Sequence, residues 1–141
     1  MSKSRLLVAV SSLWASEKLA VPIADLARRL DAGAVVAHVA QLHEEDEDES
    51  EATQRGEQTL KILTDELREA GIEADSVMLF SDDTVKAILN TAQARQCTMI
   101  ILGVTAKGIL KRLIVGDVPG NLIRQSNLPV LLCPATWTGN I

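Results

Sequence analysis

Three glycines and three cations near the C-terminus form the stretch of this 141-residue chain whose residue types are best suited to chemistry. It reads Gly103-Val104-Thr105-Ala106-Lys107-Gly108-Ile109-Leu110-Lys111-Arg112-Leu113-Ile114-Val115-Gly116-Asp117. Glycines let backbone amides turn into a cavity, and Lys107, Lys111 and Arg112 bring positive charge beside them. A helix start at Asp117 would add its own amides, and together these are the ingredients of an anion cradle. The same residues also admit a plainer reading, in which Gly103 and Gly116 turn the chain and the cations are solvated surface. Gly103 and Gly108 have P-loop spacing, but Ile109 and Leu110 stand where a lysine and a hydroxyl residue would have to meet phosphate and magnesium. A Walker-type NTPase is excluded on those two residues.

The other polar residues offer less. His38 falls inside an apolar run and His43 beside an acidic one, without a second histidine at ligand spacing, so no metal site is expected. Ser11, Ser12 and Ser16 lack the G-x-S-x-G elbow of a hydrolase nucleophile. Asp82 and Asp83 invite comparison with a phosphoacceptor pair, yet Ser11-Ser12 occupies the end of the first apolar run, where the magnesium-binding acids would be needed. They read instead as residues of a helix start. Trp14 can wall a crevice loop, but packing is the expected role for it and for Trp137. Cys97 and Cys133 each adjoin an apolar run and form no C-x-x-C pair, which fits buried thiols in a reducing compartment.

Charge is distributed unevenly. Seven of the 19 acids are Glu44, Glu45, Asp46, Glu47, Asp48, Glu49 and Glu51, a run expected in a solvated loop or frayed helix start. From Thr98 onward the only acid is Asp117, against Lys107, Lys111, Arg112 and Arg124, so the last third is locally cationic. The net charge of -5 and an aromatic content of 2% argue against nucleic-acid binding. With 47% hydrophobic residues the chain can bury a core without disulfides or metals. No apolar run reaches the roughly 18 residues of a membrane span. The Met1-Ser2-Lys3-Ser4-Arg5 start leads into an apolar stretch too short for a signal peptide, so a cytoplasmic protein without membrane insertion is expected.

The elements that must carry these residues follow from the hydrophobic period. Five continuous apolar runs, Leu6 to Val10, Ala34 to Val39, Val77 to Phe80, Met99 to Leu102 and Val130 to Cys133, read as strands covered on both faces. Between them, apolar positions recur at helical spacing: Leu19, Ile23, Leu26, Ala27, Leu30; Leu60, Leu63, Leu67, Ala70; Val85, Ile88, Leu89, Ala92. Ser16 is the expected N-cap of the first helix, Gly71 the stop of the second, and Asp83 or Ser81 the cap of the third. Pro22 should kink the first helix without ending it. A short fourth helix should begin near Asp117, with Pro119 in its first turn. The alternation calls for one doubly wound α/β domain spanning residues 1–141, with its ligand crevice beyond the C-terminal strand ends.

At this point the chain resembles a known family. Met99-Ile100-Ile101-Leu102-Gly103, Leu110 to Gly116, and Ser126-Asn127-Leu128-Pro129-Val130-Leu131-Leu132 look like the C-terminal signature of the universal stress proteins. Leu7-Val8-Ala9-Val10, Ser16-Glu17 and the Ala-Leu-rich first helix are similar to the family's start, and the resemblance covers essentially the whole chain. It implies a five-stranded parallel sheet in order 3-2-1-4-5 with helices on both faces, of the adenine nucleotide alpha hydrolase-like type. It also implies a nucleotide site comprising Val10, Ser11, Val39, Gly103, Ala106, Lys107, Gly116, Asp117 and Val118.

That site is degenerate by the family's pattern, G-x-x-G-x9-G-[S/T] in the loop after the fourth strand. Gly103 and Gly116 keep the outer spacing. Ala106 stands at the second glycine, where a methyl group intrudes and a positive φ would be costly. Asp117 replaces the terminal hydroxyl residue, and Ser11 replaces the Asp that ATP-binding members carry after the first strand. Two negative charges about 4 Å apart repel by about 4 kcal/mol at an effective dielectric constant of about 20. The resemblance so qualified implies a non-enzymatic stress-response module with weak or absent ATP binding. It further implies a homodimer through the Leu128 to Cys133 edge strand and leaves room for an unidentified protein partner. An ATP- or AMP-binding sensor is the alternative, and no other cofactor is expected.

Overall fold

The computed structural model describes residues 3–11, 13–40, 49–104, 118–134 and 137. Within them the elements are β1 (Arg5–Ala9), α1 (Leu13–Leu30), β2 (Gly33–Ala40), α2 (Glu49–Glu69), β3 (Ala74–Phe80), α3 (Thr84–Ala94), β4 (Met99–Val104), α4 (Val118–Gln125) and β5 (Val130–Pro134). All strand pairs are parallel, in the order β3-β2-β1-β4-β5.

The strands are continuously apolar because each face has its own core. Leu6, Val8, Val36 and Ile101 point to one side and pack with Leu19, Ile23 and Ala27 of α1 and Leu60, Leu63 and Leu67 of α2. Leu7, Ala9, Val35, Ala37, Ile100 and Leu102 point to the other and meet Val85, Ile88 and Ala92 of α3 and Leu122 of α4. Successive strand residues thus feed opposite layers.

Helix ends follow local chemistry. Asp83 caps α3, its carboxylate accepting the Lys86 amide at 3.0 Å. Gly71, at φ +83, closes α2 while the Ile72 amide reaches back to the Leu67 carbonyl. α1 runs through Pro22 to Leu30.

The expectation for Ser16 is corrected. α1 begins at Leu13, and Ser16 is fully buried within it, its hydroxyl donating to the Thr59 carbonyl of α2 at 2.6 Å. A hydroxyl that looks like a cap in sequence serves here as a polar link between two packed helices. β3 also begins three residues before its apolar run, at Ala74, since Asp75 and Ser76 lie exposed on an edge strand.

Candidate functional site

The chain leaves β1 on one side of the sheet to build β2 and β3, then returns to place β4 on the other side. The ends of β1 and β4 therefore flank the point where strand order reverses, the usual crevice in such sheets. Ala9 pairs with Ala37 and with Leu102. One step further, Val10 comes level with His38 of β2 and Gly103 of β4.

Of the nine residues expected at the site, five are described. Val10 is buried; its amide donates to the Ala37 carbonyl at 2.9 Å and its carbonyl oxygen lies 2.9 Å from His38 Nδ1. Ser11 follows, exposed. Val39 is half-buried and packs against the α3 layer. Gly103 is half-buried in β4, and Val118 opens α4, packed against the same layer as Val39. Val10, Ser11, Val39 and Gly103 thus gather at the C-terminal strand ends. Ala106, Lys107, Gly116 and Asp117 lie outside the described residues, as do Ser12, His43 and the acidic residues from Glu44 to Asp48.

Gly103 has a packing reason to be glycine. A Cβ there would lie 2.6 Å from Leu19 Cδ1, on the α1 side of the sheet. Leu19 is itself buried in the core, so it has little room to move aside.

His38 was weighed in sequence reading only as a metal ligand and was given no place at the crevice. It was visible as a polar side chain in an apolar strand, but its partner Val10 lies 28 residues away. Asp83 is accounted for as a helix cap, and Ser81 bonds locally, its hydroxyl accepting the Asp83 amide at 3.1 Å. Trp137 packs against the α1 and α2 core.

Burial holds both thiols toward their protonated form. Burial raises the Cys97 pKa against the lowering pull of Arg5 and Arg95, and burial pushes Cys133 up to about 11. Among the described residues, no three His, Cys, Asp or Glu side chains come together as a metal site, and no helix is long and apolar enough to cross a membrane.

The model of the universal stress protein family matches residues 3–134. No curated protein matches the chain. Among solved structures, a universal stress protein from Archaeoglobus fulgidus superposes with a TM-score of 0.71 at 21% identity, covering 92% of each chain. The universal stress protein from Archaeoglobus fulgidus in complex with dAMP gives 0.68 at 22% identity, over 94% of this chain and 98% of that one. An Arabidopsis thaliana universal stress protein family protein with AMP bound gives 0.62 at 14%, over 93% and 90%. At these identities the likeness to solved structures is one of fold.

Proposed function

Because the chain belongs to the universal stress protein family, we propose that it is a stress-response module acting through dimerisation and protein interaction, with a crevice that holds ATP weakly or not at all. The observation that carries this reading is the exposed Ser11 just past the end of β1, where the β1–β4 pairing closes with Ala9 against Leu102 at the strand-order reversal. ATP-binding members resembled by the sequence carry Asp at that point.

The crevice residues described fit the nucleoside end of such a ligand. Half-buried Val39 offers apolar surface, and Ser11 offers a hydroxyl that can donate or accept. The phosphate end would fall to the loop after β4. There Ala106 and Asp117 replace the residues that hold a triphosphate, while Gly103, Gly116 and Lys107 keep part of an anion site. A monophosphate avoids Asp117 by not reaching it. AMP is therefore less penalised than ATP, and the dAMP and AMP complexes of the two structural neighbours support a sensor of adenosine monophosphates as the second reading.

The reading is non-enzymatic, since the sequence supplies no general base or metal-binding carboxylate at the positions a nucleotide hydrolase would need. It places the protein in the cytoplasm, supported by the two buried thiols. Its homodimer forms through the β5 edge, with the Leu128 to Cys133 segment at the interface. Acid extraction of the purified native protein, followed by identification of released nucleotide, tests the proposal. The expected yield of ATP is far below one per chain; stoichiometric ATP would overturn it.

A further inference from the structure

His38 makes a contact that packing alone does not require. Its Nδ1 lies 2.9 Å from the Val10 carbonyl oxygen. A carbonyl can only accept, so Nδ1 must carry the proton, and in the neutral form of the ring Nε2 is then the acceptor. The room for this ring is made by Gly56 in the middle of α2: a Cβ there would lie 2.8 Å from His38 Cδ2 and 2.5 Å from Met78 Cε. Glycine inside a helix is destabilising relative to alanine. Here it lets α2 approach β2 closely enough to seat the imidazole.

The consequence lies at the end of β1. The Val10 amide is held by the Ala37 carbonyl, and the Val10 carbonyl is held by His38, so both backbone polar groups of the residue before Ser11 are fixed. A strand end is where the chain would otherwise be freest to choose its exit.

We propose that His38 is a positioning residue for the crevice: as its Nδ1–H tautomer it clamps the Val10 carbonyl from the α2 side of the sheet and sets the direction in which Ser11 leaves β1. It acts through Val10 and not by touching ligand. The link to nucleotide rests on the crevice reading above; the clamp itself does not.

The clamp is read first without ligand, on the unaltered protein, by nitrogen-15 NMR of the neutral histidines, with His43→Gln used to assign the two rings. His38 should show a protonated Nδ1 and a bare Nε2; an Nε2–H tautomer would overturn the clamp. The Ser11 amide resonance should move in His38→Ala and return toward its original position in His38→Asn, whose amide can donate from near the Nδ1 position. An unmoved Ser11 resonance in His38→Ala, or equal displacement in both variants, would overturn the positioning role. The tautomer measurement decides the clamp even if His38→Ala fails to fold.

Calorimetry with AMP then reads the link to the crevice. His38→Ala should weaken AMP about tenfold, and His38→Asn should recover most of that loss. Equal weakening in both variants, or none in either, would overturn the link. Failure of the unaltered protein to bind AMP while the tautomer and Ser11 signatures hold would refute the adenosine monophosphate reading of the crevice and leave the clamp standing. AMP binding with an Nε2–H ring would do the reverse.

Discussion

A methyl group on Gly103 would press on Leu19 whatever the loop after β4 binds, because the 2.6 Å approach comes from α1 and not from a ligand. Overpacking of this kind costs about 1 to 3 kcal/mol. Gly103→Ala should therefore lower thermal stability, and Leu19→Ala, harmful alone by about 2 to 5 kcal/mol, should relieve that cost when combined with it. A double-mutant cycle by denaturation should show a favourable coupling of about 1 kcal/mol or more; strict additivity would show that the contact is not the reason for the glycine. The sequence makes this glycine conspicuous but does not show the packing contact. Its spacing to Gly116 suggests phosphate, whereas the partner that forbids a side chain sits on the first helix and has no mark in the local sequence. His38 is the same case with a polar partner, and Ser16 is the converse, a residue whose type suggests a helix cap and whose burial makes it a helix-to-helix link.

At the scale of elements, three helices end alike. The Ala32, Ile72 and Cys97 amides reach back to the carbonyls of Ala27, Leu67 and Ala92, with Asp31, Gly71 and Gln96 at positive φ. Only one of the three residues in that left-handed position is glycine. Gln96, at φ 57 and exposed, bears a Cβ penalty that Gly71 avoids. Gln96→Gly should raise stability by about 0.5 to 1 kcal/mol in denaturant titration, and a loss of similar size would show that the position is unstrained. Most elements were legible because a strand buried on both faces is continuously apolar and a helix buried on one repeats its apolar positions every third or fourth residue. The first half of β3 was not, since Asp75 and Ser76, which point to opposite faces, are both exposed on an edge strand, where the pressure for apolar residues is removed. The stop at Gly71 was legible for the opposite reason: the left-handed turn selects a residue type strongly enough to leave its mark.

At the scale of the whole molecule, the order β3-β2-β1-β4-β5 leaves two sheet edges. The β5 edge is apolar, with Leu132 38% exposed and Ile123 of the adjoining α4 53% exposed. Unpaired apolar edges invite a second strand. Light scattering at micromolar concentration should give twice the 15.2 kDa chain mass, and Leu132→Lys should return it toward one; a monomer before substitution would remove the dimer. Strand order and the gathering of Val10, Ser11, Val39 and Gly103 at one end followed from alternation and resemblance together, whereas nucleotide preference turns on side chains of the loop after β4. The central claim, that this family member has a crevice impaired for triphosphate, is tested most directly by calorimetric titration of ATP and AMP into the unaltered protein and into Ala106→Gly combined with Asp117→Ser. Relief of half of a repulsion of about 4 kcal/mol corresponds to more than a tenfold gain in affinity. The account predicts weak or absent ATP binding to the unaltered protein, AMP bound no worse than ATP, and a double variant that gains more for ATP than for AMP; submicromolar ATP binding by the unaltered protein would contradict it.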